Sequence, residues 1–159
     1  MVKKALAAFL ALPGIFGVLV PAVLLIADPK RVTGYPVGAL IIAVGLIILV
    51  RCVWDFYVSG KGTLAPWAPP KNLVVVGLYR YMRNPMYIGV LLMVAGTAML
   101  FGSPLVLGYC GLLAVGFHLR VVWSEEPWLA EQFGAEWRLY SESVSRWLPH
   151  RPAKPKESA

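Results

Sequence analysis

RNPMYIGVLLMVAGTAMLFGSPLVLGYCGLLAVGFHLRVVWSEEP, from Arg83 to Pro127, decides the fold. It holds two apolar runs, 86–101 and 104–123, with only Gly102 and Ser103 between them. So short a connection folds two helices into a tight hairpin. The first run is short for a bilayer crossing, so the hairpin is expected to tilt or sit shallow. Charge collects at the open end: Arg83 before the hairpin, Glu125 and Glu126 after it.

Two more apolar stretches lie upstream, at 5–27 and 35–54. Each is close to the length that spans a hydrocarbon core of about 30 Å. Pro13 and Pro21 are expected to bend the first. Met1-Val2-Lys3-Lys4 ahead of an apolar run mimics a signal peptide, but the run is long and no convincing cleavage pattern precedes Ala27. It reads as a mature helix. Composition agrees with a bilayer as solvent. Of 159 residues, 58% are hydrophobic and 14% charged, more apolar surface than a soluble domain of this size hides.

The net charge of +7 does not indicate nucleic acid, because the bases flank apolar runs rather than forming one polar face. With four crossings, thirteen of the fifteen lysines and arginines fall on one side, which the positive-inside rule makes the cytoplasm. Both termini are then cytoplasmic, and a bacterial or archaeal inner membrane is the expected location. The expectation is one all-α integral-membrane domain over 1–150. It has four transmembrane helices, a cytoplasmic amphipathic helix at 126–147 and a disordered tail at 151–159. On the amphipathic helix Trp128, Leu129, Phe133, Trp137 and Tyr140 recur at helical spacing, which fits a helix lying in the membrane interface.

The unusual polar residues all lie on the basic side. Arg80 and Tyr81 fit an interfacial anchor, which accounts less well for Asn84-Pro85-Met86-Tyr87, where a capped helix start has amides that receive a carboxylate or phosphate. Gly89 and Gly96 permit close backbone approach. Glu125 and Glu126 fit the first turn of a helix with Pro127, or a ligand site; neighbours on a helix project about 100° apart, so the two need not serve one ligand. His118, a turn before the cytoplasmic end of its helix, is either a packing residue or a functional one. Gly60 and Gly62 read as turn residues. Cys52 and Cys110 lie in apolar runs and read as fillers, and no metal spacing, P-loop or Ser/His/Asp set is present. No metal and no nucleic-acid partner are expected.

Taken together, Arg83 to Gly89 (RNPMYIG), the Gly-Ser-Pro hairpin, Glu125 to Pro127 (EEP), Phe133-Gly134 and Arg146 to Pro149 (RWLP) resemble the small integral-membrane methyltransferases. That superfamily includes isoprenylcysteine carboxyl methyltransferases and phospholipid N-methyltransferases. The resemblance runs from about Ser59 to Pro149. It implies S-adenosylmethionine as cofactor, with Arg83, Asn84, Tyr87, Gly89, Glu125 and Glu126 at its site, and Gly60 and Gly62 as a GxG element. It implies methylation of a lipophilic small molecule or lipid in the membrane. Arg83, Glu126 and His118 are the candidate catalytic residues, the last as a base for an amine acceptor. Asn84 stands where the carboxyl methyltransferases usually carry His. Two other readings stay open: a membrane reductase of the sterol-reductase type using a nicotinamide, and a small membrane scaffold without activity.

Overall fold

A computed structural model describes residues 13–60 and 72–149. The start of the first apolar run, the loop segment that holds Gly62, and the tail with His150 lie outside the described residues.

The described chain is all-helical, joined by one isolated bridge between Met82 and Ser145. Helix α1 (Ile15–Ala27) begins with a π turn over Ile15–Leu19. Pro21 accounts for it. Proline donates no amide and crowds the carbonyl four residues back, so the chain widens, and Val20 N–H bonds to the Ile15 carbonyl. The bend expected at this proline therefore takes the form of a widened turn. Helix α2 (Val37–Asp55) runs on through a second π turn, Phe56–Gly60. After a short 3₁₀ turn, Gly77–Arg80, come α3 (Pro85–Phe101) and α4 (Pro104–Arg120).

Helices α2 and α3 make the most extensive helix contact among the described residues, and glycine sets it. A Cβ on Gly45 would stand 2.6 Å from the Gly89 carbonyl oxygen, and one on Gly38 2.5 Å from that of Gly96. The expected close approach at Gly89 and Gly96 is thus a helix crossing. The hairpin closes as expected. Gly102 adopts φ 57°, and the Ser103 hydroxyl accepts the Val106 amide at 3.2 Å. Asp28, buried at the end of α1, accepts from the Ser103 hydroxyl and from the Leu105 amide at 3.3 Å, tying α1 to the hairpin.

The outer faces are apolar. Ile26, Leu40, Ile47, Val50, Leu112 and Val115 all stand exposed. Among the described residues two helices are long and apolar enough to cross a membrane by themselves, Val37–Asp55 and the continuous Pro104–Ser143; Ile15–Ala27 and Pro85–Phe101 are shorter.

Two expectations change at the end of the hairpin. Glu126 does not begin a new helix. The chain passes from α4 through a third π turn, Val121–Glu125, straight into α5 (Glu126–Ser143). Pro127 accounts for this as Pro21 does for α1: the first and third π turns each end two residues before a proline. Second, α5 stops at Ser143 instead of 147. Val144 turns extended, because the Ser145 carbonyl accepts the Arg83 amide at 2.8 Å. Within α5, Gly134 breaks the helix with φ 50°, ψ −116°.

Candidate functional site

The strands of chain just before α3 and just after α5 lie side by side, and this builds the site. Besides the backbone bond at Arg83, the Asn84 side-chain amide donates to the Arg146 carbonyl at 3.1 Å. Asn84 stands at the N-cap position of α3, but its side chain makes no cap. It laces two segments together, and the first amides of α3 are left without a side-chain acceptor.

The adjacent glutamates serve different clusters. Glu126 accepts from Arg83 Nη1 at 2.9 Å, and from Arg146 through Nε at 2.7 Å and Nη2 at 2.8 Å. This forked geometry is the strongest form of charge-assisted bond. The Arg83 side chain is 13% exposed and that of Glu126 16%, so the pair is largely shut from water. Burial pulls the Arg83 guanidinium below its ordinary value, against the opposing pull of Glu126. The more open Arg146 is raised, chiefly by its bond to Glu126. Arg83 also lies over the Trp137 ring, 5.7 Å from its centre.

Glu125 forms the second cluster, accepting from the Tyr87 hydroxyl and from Arg120 Nε at 2.8 Å; Arg120 Nε also lies 3.2 Å from the Tyr87 hydroxyl. Tyr87 is held by Phe117, with ring centres 4.4 Å apart. Three arginines meet two glutamates across the clusters, leaving one net positive charge.

Between the clusters and the helices is a cavity of about 70 Å³. Arg83, Asn84, Glu125 and Glu126 line it together with Phe56, Tyr79, Val121 and one face of α5: Leu129, Phe133, Trp137 and Tyr140. Four members of the expected apolar face, Leu129, Phe133, Trp137 and Tyr140, turn to the cavity, while Trp128 does not line it. Trp137 and Tyr140 are buried, and the Tyr140 hydroxyl donates to the Tyr79 carbonyl at 2.7 Å. The Nε of Arg83 is buried with no acceptor, so this cavity-lining guanidinium has a donor to offer.

The remaining sequence candidates lie elsewhere. Gly89 is buried against α2 and not on the cavity. Gly60 ends the second π turn. His118 is exposed and accepts the Trp147 indole N–H on Nδ1 at 3.2 Å. With Nδ1 accepting in the neutral ring, the proton sits on Nε2 and the ring's acceptor nitrogen is taken by Trp147. Arg120 and Arg146 join the site without a reading of their own in the sequence, and Tyr140 joins it from the aromatic face of α5. The only sequence signal for Arg146 was its place in the RWLP element.

The family described as phospholipid methyltransferase matches residues 33–136. The protein-S-isoprenylcysteine O-methyltransferase of Schizosaccharomyces pombe is 31% identical over 80 residues, 50% of this chain and 34% of that protein. Protein-S-isoprenylcysteine O-methyltransferase A of Arabidopsis thaliana is 32% identical over 78 residues, 49% of this chain and 40% of that protein. The matches thus span well under half the length of these relatives. No solved structure matches the chain.

Proposed function

The chain belongs to the phospholipid methyltransferase family, and from that premise we propose that it is an S-adenosylmethionine-dependent enzyme methylating a lipophilic acceptor in the membrane. The acceptor is an isoprenylcysteine-type carboxylate or a phospholipid amine. The observation that carries the reading is Arg83, held by Glu126 on a cavity wall with an unused buried N–H.

S-adenosylmethionine supplies an electrophilic methyl group, and the acceptor supplies the attacking atom. The protein's task is to align the two and exclude water. Arg83 and the uncapped amides of α3 suit the cofactor's carboxylate. Glu125, with one oxygen on Tyr87 and Arg120, suits a ribose hydroxyl. Glu126 acts by fixing Arg83 and Arg146. A carboxylate acceptor brings its own negative charge and needs no base. An amine acceptor needs one, which His118 offers only after releasing Trp147.

Ligand pockets measure roughly 300–1,000 Å³, so the present cavity has to widen. Leu129 and Phe133 of the α5 wall lie between the π turn at Val121–Glu125 and the break at Gly134, two points where a helix can swing. The proposal places one domain over 1–150, four membrane crossings, and both termini and the site on the cytoplasmic side.

The test is thermal unfolding of the detergent-solubilised chain. S-adenosylhomocysteine at one hundred times its dissociation constant is expected to stabilise by about 2.7 kcal/mol. Reduced nicotinamide cofactor is expected to do nothing. Stabilisation by the nicotinamide alone favours the reductase reading, and stabilisation by neither favours a scaffold.

A further inference from the structure

Among the described residues two buried side-chain polar atoms lack a hydrogen-bond partner, and they carry opposite charge: Arg83 Nε and Asp55 Oδ2. Asp55 ends α2 and is only 4% exposed. Its Oδ1 is met by Arg51 at 3.3 Å, from a side chain that is 57% exposed. Its Oδ2 occupies the space a side chain at residue 77 would need, and Gly77, at φ 56°, supplies none. Asp55 is next in the chain to Phe56 and packs against the turn that carries Tyr79. Both of those residues line the cavity, with ring centres 5.2 Å apart.

A buried carboxylate oxygen without a donor is costly, and such a group is retained where something cationic or hydrogen-bonding arrives. Glu126 is fully engaged, and the second oxygen of Glu125 is the one that suits a ribose hydroxyl. Both oxygens of Glu126 accept from arginines, and Glu125 accepts from Tyr87 and Arg120. Asp55 has the buried carboxylate oxygen that is still open, beside Phe56 and the turn of Tyr79, which line the same cavity as Arg83. We propose that Asp55 is a cation-binding residue of this site, its Oδ2 receiving an ammonium or amine group of the bound ligand while Arg83 receives an anionic one. This rests on the methyltransferase reading, under which two molecules bring such a group: the cofactor through its amino-acid end, and an amine acceptor.

The experiment uses the full chain in detergent, titrated with S-adenosylhomocysteine and with 5′-methylthioadenosine, which lacks the amino-acid end. If the cofactor is the source, Asp55→Asn loses about tenfold or more in affinity for the first and nothing for the second. If the acceptor is the source, both affinities hold and KM for phosphatidylethanolamine rises by about tenfold at unchanged kcat. Either result supports the assignment. Arg51→Gln, which removes the helix partner only, is expected to bind like wild type. Asp55→Glu is read in the same way should Asp55→Asn not fold. The assignment is overturned if Asp55→Asn leaves both affinities and KM unchanged, or if Arg51→Gln reproduces its losses. Failure of the wild-type chain to bind S-adenosylhomocysteine would overturn the methyltransferase reading instead.

Discussion

Glu126 is the residue on which most of the site depends. It joins the segment before α3 to the segment after α5 through three charge-assisted bonds. Glu126→Gln keeps the shape and removes the charge, leaving Arg83 buried with a neutral neighbour. Donor affinity is expected to fall roughly tenfold to a hundredfold, the equivalent of about 1.5–3 kcal/mol, as read by titration with S-adenosylhomocysteine. Arg83→Lys keeps a charge but cannot both bond Glu126 and offer a second donor in a fixed plane, so methyl transfer is expected to fall about tenfold or more. Tyr81→Phe is the contrast. Tyr81 is 45% exposed and off the cavity wall, and its loss is expected to leave the rate unchanged. Arg83, Asn84, Tyr87, Glu125 and Glu126 were legible because polar residues stand out against apolar runs. Arg146 was not, since its role depends on α5 stopping at Ser143, and that stop is imposed by pairing with a segment some sixty residues away.

The element that orients the glutamates is the π turn over Val121–Glu125. The sequence contained its cause in Pro127, but proline at a helix start and proline after a widened turn look alike in one dimension. Pro127→Ala removes the cause. A regular helix through this point would rotate Glu126 by up to about 100° against α4. The expected outcome is unchanged or higher helicity by circular dichroism together with weaker cofactor binding. A variant that binds like wild type would mean that the turn is not what orients Glu126. One side of the α2–α3 crossing was legible in Gly89 and Gly96, because glycines in apolar runs have few other uses; its partners Gly38 and Gly45 come from the structure. Gly45→Val would drive its side chain into the Gly89 carbonyl, and is expected to destabilise the chain by about 1–3 kcal/mol or more, seen as a lower melting temperature in detergent.

At the scale of the whole molecule, small residues bring helices together inside while large apolar residues face outward, the arrangement a bilayer favours. The distribution of basic residues sets the direction: reporters fused at Met1 and Ala159 are both expected to give cytoplasmic signals, and an external signal from either end would break the four-crossing arrangement. Composition and run lengths made the membrane legible. They could not show that the aromatic face of α5 closes a cavity, because a helix on lipid and a helix on a cavity wall carry the same periodicity. The central claim is methyl transfer at the Arg83–Glu126–Arg146 cluster. Its most direct test is incubation of membranes holding the full chain with methyl-labelled S-adenosylmethionine, followed by mass spectrometry of the lipid extract. A labelled lipophilic product that forms with the wild-type chain and falls about tenfold or more with folded Glu126→Gln is the predicted result. An absence of label with wild type, or equal label from both proteins, would contradict it.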